Sequence, residues 1–346
     1  MKLFRQIVTG AACLVLLGSI WPALGADPAP AGAKKKIAYV TNGVDPFWNT
    51  AAAGVRAAEK AFGIDCEVLM PPKGIIDQKR MVEGLLARGV DGIAISPIDA
   101  KNQVDLLNQA AARCPVITHD SDAPSSKRLC FVGMDNYKAG RAAGRLVKEA
   151  LPAGGKVMLF VGRLEQLNAQ QRRQGVIDEL MNKPAQASDK LVLSPPGGSI
   201  SAPGSAFVVV GTRTDNFDYS RAKANAQDAM ASIPDLACMV GLFAYNSPHC
   251  LEAAKEAGKT GKIKIVSFDE QNAVLQGIID GYVFGTISQQ PYYYGYESVR
   301  ILKGLATGDR SVLPPHGFFE VPIVEVRKDN VQKFWADLKK MQEMGK

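Results

Sequence analysis

From Lys36 onward, short β-branched or apolar runs alternate with amphipathic stretches of ten or more residues, and nothing else in the 346-residue chain constrains its fold as strongly. Strand and helix in strict turn is the signature of parallel βαβ units, because neighbouring parallel strands need a crossover long enough to hold a helix. The pattern predicts strands over 37–41, 66–70, 92–96, 116–118 and 129–132, with helices over 47–62, 78–88 and 102–112. In the first of these helices Ala51, Val55, Ala58 and Phe62 recur on one face. The same grammar restarts with strands over 156–161, 206–210, 239–243, 263–268 and 283–288, helices over 169–181, 221–233 and 248–257, and a last helix over 330–344. The class is therefore α/β with parallel sheets. Two such sheets facing each other would enclose a cleft lined by the loops at the strands' carboxyl ends.

The N-terminus reads as an export signal. Lys2 and Arg5 precede an apolar stretch over 7–17, and Ala23-Leu24-Gly25 offers small residues where a signal peptidase cuts. Residues 1–25 are read as a signal peptide cleaved near Gly25, and 26–36, rich in Pro, Ala, Gly and Lys, as a flexible leader. Cys13, inside the apolar stretch, leaves a lipid-anchored N-terminus as a second reading. Removing Lys2 and Arg5 lowers the net charge from +7 to +5. Basic residues are interspersed with acids, and Lys34-Lys35-Lys36 is too short a run for a nucleic-acid footprint.

Cleavage leaves five cysteines, Cys66, Cys114, Cys130, Cys238 and Cys250, in an oxidising space where disulfides persist. An odd number leaves at least one unpaired. Cys114 with Cys130, and Cys238 with Cys250, are plausible pairs that spacing alone does not establish.

The strand ends carry the functional signal. The first reads Thr41-Asn42-Gly43-Val44-Asp45-Pro46-Phe47-Trp48: Asp45 before Pro46 suits a helix N-cap, while Phe47 and Trp48 face the crevice as readily as the core and could stack on the C–H face of a sugar or on another ring. Later strand ends give Ser96-Pro97-Ile98-Asp99, His119-Asp120-Ser121-Asp122, Asn216-Phe217-Asp218, Tyr245-Asn246, Phe268-Asp269 and Ser288-Gln289-Gln290. Amides and acids with few cations suit a neutral polyol better than an anion. Any one of these is weak evidence, since Asx residues cap turns everywhere; their recurrence at successive strand ends is the stronger observation.

Catalytic constellations are hard to assemble. The three histidines, His119, His249 and His316, lack metal-ligand spacing, and no nucleophile elbow, phosphate-cradling glycine loop or dinucleotide fingerprint occurs. No cofactor, no metal and no enzymatic activity are expected. Asp120 with Asp269 could in principle act as a glycosidase pair, but the same acids equally suit gripping hydroxyls.

In this order the motifs resemble the type I periplasmic sugar-binding proteins, the ribose- and galactose-binding class of solute receptors for ABC importers, from about Lys36 to Val326. The resemblance implies ligand-binding roles for Thr41, Asp45, Phe47, Trp48, Ser96, Asp120, Asn168, Arg172, Phe217, Asn246, Asp269 and Gln289. Arg172 stands in Asn168-Ala169-Gln170-Gln171-Arg172, and its neighbour Arg173 reads as the solvated one of the two. The resemblance further implies two Rossmann-like lobes joined by three crossings near Asp135, Gln289 and Val321: 37–135 plus 290–321, and 136–289 plus 322–346. A monomer in the periplasm would close on a monosaccharide and deliver it to a membrane ABC permease. A sensory or chemotaxis receptor for a sugar-like signal is the alternative, whereas a repressor's effector domain is disfavoured by the export signal and a secreted hydrolase by the lack of a nucleophile. Ser96 stands where some ribose receptors have an amide, and Ser121 where they have arginine, which puts ribose itself in doubt. Residues 194–205 interrupt the spacing as a surface loop.

Overall fold

A computed structural model describes residues 34–344; the expected signal peptide, Cys13 and all but the last three residues of the leader lie outside the described residues. The first series of elements is β1 (Lys36–Val40), α1 (Pro46–Phe62), β2 (Asp65–Leu69), α2 (Ile75–Arg88), β3 (Gly92–Ile95), α3 (Val104–Ala111), β4 (Val116–His119) and β5 (Phe131–Gly133). The second is α4 (Asn136–Ala150), β6 (Gly155–Val161), α5 (Leu167–Leu180), β7 (Phe207–Thr214), α6 (Tyr219–Ser232), β8 (Leu236–Gly241), α7 (Asn246–Glu256), β9 (Lys264–Phe268), α8 (Asn272–Ile279) and β10 (Gly285–Ser288). Then follow α9 (Pro291–Ala306), β11 (Phe318–Glu320), β12 (Val324–Val326) and α10 (Val331–Met344).

The strands form two six-stranded sheets of the same design, in the orders β11-β5-β4-β3-β1-β2 and β12-β10-β9-β8-β6-β7. Pairing is parallel throughout except for β12, which runs antiparallel to β10. In each sheet the order reverses beside the first strand of its series, and the crevice beyond the carboxyl ends there is where open α/β sheets take ligands. The chain passes between the sheets after β5, after β10 and between β11 and β12. Helix α10 inserts Val331 and Leu338 into the second sheet's core, while Gln342 at its far end donates to Thr50 Oγ1 on α1.

Both faces of each sheet are buried, as parallel sheets require. In β1, Ile37 and Tyr39 pack on one face and Ala38 and Val40 on the other. This alternation explains why the suggested disulfides are absent. All five cysteines are buried free thiols. Cys114 lies in the core on the Val40 face and Cys130 in the core on the Tyr39 face, so the first sheet separates them. Cys238 and Cys250 likewise belong to different cores on either side of the second sheet. The basic run is locally neutralised, with Lys34 paired to Asp65 and Lys35 to Asp91.

Helices α4 and α5 pack so closely that a Cβ on Gly140 would collide with the Arg172 carbonyl, and one on Gly175 with the Tyr137 carbonyl. That approach seats Arg172 against Asn136. Arg173, expected in solvent, is 4% exposed. It donates to Thr212 Oγ1 and to the carbonyls of Ser194 and Pro195, tying the 194–205 loop to α5.

Candidate ligand-binding cleft

The carboxyl ends of the two sheets enclose a cavity of about 660 Å3. Asp120 (φ 57°), Asn216 (58°), Phe217 (65°), Asp269 (68°) and Gln290 (57°), each following a strand, adopt left-handed backbone conformations. Side chains with a Cβ pay on the order of 1 kcal/mol each for this, a strain that persists where the surrounding fold over-determines the turn. The turns after β4, β7 and β9 present Asp120, Phe217 and Asp269 to the cavity.

At its base lies a buried charge cluster. Arg172, fully buried, donates to Asn136 Oδ1 (2.8 Å), the Leu242 carbonyl (3.0 Å) and Gln289 Oε1 (2.9 Å), with Asp120 Oδ1 3.7 Å from its guanidinium. Its guanidinium carbon sits 5.2 and 5.1 Å from the ring centres of Phe243 and Phe268. Asp120 Oδ2 accepts from Ser96 Oγ (2.8 Å) and Asn42 Nδ2 (3.3 Å), and Asp269 Oδ1 from Gln289 Nε2 (2.7 Å). Among the described residues, Asp269 Oδ2 takes no hydrogen bond, so it keeps acceptor capacity for a guest. Burial pushes both acids up from the usual carboxylate range; Arg172 opposes the shift most strongly at each, helped by Ser96 and Asn168 at Asp120 and by Gln289 at Asp269.

Aromatic faces approach from both sheets. Phe47, in the first turn of α1, meets Trp48 edge-on at 4.8 Å, and Phe217 meets Phe243 at 5.9 Å. Trp48 is 3% exposed and anchored against Tyr39 and His119. His119 is itself a core residue, stacked on Tyr39 at 3.9 Å, with a pKa lowered to about 3 by burial.

Of the twelve candidate residues, Asp45, Phe47, Trp48, Asp120, Phe217, Asp269 and Gln289 line the cavity. Thr41, Ser96, Asn168, Arg172 and Asn246 stand behind its wall. Thr41 Oγ1 bonds the Gly43 carbonyl within its own turn. Asn168 Oδ1 accepts from Ala169 N; its Nδ2 is buried without an acceptor in hydrogen-bonding geometry, although the amide helps to hold the Asp120 charge. Asn246 spends its amide on Asp215 Oδ2 and the Phe243 N–H. Asp45 caps α1 through the Phe47 N–H and also reaches the other sheet, where Tyr219 Oη (2.6 Å) and Gln271 Nε2 (3.3 Å) donate to it.

Sequence reasoning did not single out Asn42, Lys73, Arg163, Tyr219, Phe243 or Tyr245, which also line the cavity. It also missed Asp215, a buried support that accepts from Tyr245 Oη, Phe217 N and Asn246 Nδ2, and whose pKa burial raises to about 6. The adjacency of Asp215 to Asn216-Phe217 was the available signal.

The sequence pattern of the periplasmic binding protein domain matches residues 37–310. The chain is 25% identical over 314 residues to the D-ribose/D-allose-binding protein of Pseudomonas aeruginosa, covering 87% of this chain and 91% of that protein. It is 24% identical over 277 residues to the D-apiose import binding protein of Paraburkholderia graminis, covering 78% and 80%. Its fold superposes on an ABC transporter solute-binding protein from Agrobacterium vitis bound with α-D-tagatopyranose, with a TM-score of 0.77, 24% identity and coverage of 89% and 99%. Two parallel sheets of one design, with a charge-lined cavity at their facing carboxyl ends, agree with that match, and the chain belongs to the periplasmic binding protein family.

Proposed function

We propose that this protein captures a monosaccharide in the cleft by closure of two lobes, 37–135 plus 290–321 and 136–289 plus 322–346, and delivers it to a membrane ABC importer. It works as a periplasmic monomer and performs no chemistry on its guest. Relatives named for ribose, allose and apiose, and a neighbour holding a tagatopyranose, support a sugar. The observation that carries the reading is the Asp120–Arg172–Gln289–Asp269 cluster at the cavity base, where buried acceptors keep unused capacity between aromatic faces. Such groups pair with hydroxyls and discriminate by hydroxyl pattern, since each buried hydroxyl left unpaired costs about 1 to 3 kcal/mol.

A thermal-shift screen of monosaccharides tests this. A ligand at 100 times its Kd adds about 2.7 kcal/mol of stability. Asp120→Asn and Asp269→Asn are expected to remove that gain while the variants remain folded. A shift that survives either substitution takes that carboxylate out of the binding set, and no shift with any sugar refutes the proposal.

A further inference from the structure

We propose that the sugar taken by this cleft carries an acidic group, a carboxylate or a phosphate, held at the outer end of the cavity by Arg163 with Lys73. This rests on the sugar-binding reading above and narrows its substrate class. The hydroxyl-matching groups gather at the base, yet the cavity of about 660 Å3 offers more room than one pyranose ring needs. Its outer wall brings together Lys73 and Gly74, at the start of α2, and Arg163, after β6 on the opposite sheet. The two sides approach closely there, since a Cβ built on Gly74 would lie 3.8 Å from Arg163 Nη1.

The Arg163 guanidinium is half-buried and braced 5.1 Å from the Phe217 ring centre. Among the described residues it has neither an ion pair nor a hydrogen-bond partner. Arg128 is spent on Asp122, Arg141 on Glu179 and Arg173 on two carbonyls; Arg213, half-buried on β7, is unpaired among the described residues like Arg163 but does not line the cavity. Among the described residues, none of the carboxylates around the cavity pairs with Arg163 or with the Lys73 ammonium. Asp45 is bound by Tyr219 and Gln271, Asp77 accepts from the Lys73 N–H and faces Arg80, Asp120 faces Arg172, and Asp269 accepts from Gln289. Glu165, near in sequence, is exposed and forms no ion pair with Arg163. A planar guanidinium held by an aromatic ring, with its N–H groups unspent, suits bidentate binding of an oxyanion, and Lys73 adds a mobile point charge.

The test compares matched pairs by titration calorimetry at low ionic strength: glucose with glucuronate, galactose with galacturonate, ribose with ribose 5-phosphate. In at least one pair the acid is expected to bind about tenfold more tightly, with the advantage shrinking in 0.5 M NaCl as screening shortens to about 4 Å. The carboxylate and phosphate pairs tell which oxyanion is meant. Arg163→Gln should bring the acid-to-neutral ratio close to one, while Arg163→Lys retains part of it. Equal or weaker binding of the acid in every pair, or a preference that survives Arg163→Gln, overturns the inference and leaves the sugar-binding reading standing. Tighter binding of a neutral disaccharide than of any acid also overturns it, because the outer space would then hold a second ring. If no sugar binds, acidic or neutral, the sugar-binding reading itself falls.

Discussion

Asp269 and Glu270 are adjacent carboxyls held out of water at the end of β9. Glu270 Oε2 accepts from Ser288 Oγ (2.9 Å), but its Oε1 is buried without a partner. Burial first, and the neighbouring Asp269 charge second, push the Glu270 carboxyl well above its usual range. A raised folded-state pKa means that the native protein holds a proton which the unfolded chain has already released, so stability falls as pH rises from the unfolded value of about 4.3 through the folded one. Asp215, raised to about 6, acts in the same direction and contributes on the order of 3 kcal/mol that is present below about pH 4 and lost as pH climbs past 6. The ligand-free protein is therefore expected to melt at progressively lower temperature from pH 5 to pH 8. Glu270→Gln should flatten that slope and raise the melting temperature at pH 8, because the amide fills the same space with no charge to bury. A slope that steepens or stays the same in the variant would show that Glu270 is ionised in the native protein across this range.

The contact between α4 and α5 is the element on which the cavity base is built, since both partners of the Arg172–Asn136 bond stand on it. Gly175→Ala puts a methyl group into the Tyr137 carbonyl and should cost about 1 to 3 kcal/mol in urea denaturation, with a loss of ligand affinity as Arg172 shifts. Gly197→Ala, whose new methyl meets nothing within 4 Å, is the matched control and should leave both unchanged. If Gly175→Ala behaves like the control, the helices can separate at no cost. This contact also marks how far the sequence could be read. Strands and helices with strong periodicity were legible, α1 and α10 nearly to the residue. Helix α4 was missed although it buries Tyr137, Leu146 and Val147, because the small residues Ala139, Gly140, Ala142, Ala143 and Gly144 fill most of that face. Helix α9 was missed although its buried residues are largely apolar, among them Tyr294, Val299, Ile301, Leu302 and Leu305. At the cleft, Asp120, Phe217, Asp269 and Gln289 were visible because each follows a strand. Asp215, Arg163 and Tyr219 were not, because what each does depends on a partner distant in sequence. Arg173 misled for the same reason, since its partners lie in a loop some twenty residues away.

At the scale of the molecule the two sheets are held together at the rim by Asp45. Its carboxyl caps α1 and takes Tyr219 Oη and Gln271 Nε2 from the facing side, so a bond that fixes a helix start also fixes the distance between lobes. A group that bonds only across a closed cleft stabilises the closed form alone, and its removal returns the guest to solvent sooner. A hydrogen bond to a carboxylate contributes about 1.5 to 3 kcal/mol when sheltered; Tyr219 is 40% exposed, so about 1 kcal/mol is the reasonable size here. Tyr219→Phe keeps the ring against Tyr245 and deletes only the donor. It is expected to speed ligand release about fivefold in stopped-flow measurements, with association little changed. Because the deleted bond joins protein to protein, the factor should be the same for every ligand that the cleft accepts. A factor that differs between ligands would mean that the Tyr219 hydroxyl contacts the guest itself, and that closure is held elsewhere, with Gln342 of α10 on Thr50 the next bond to remove.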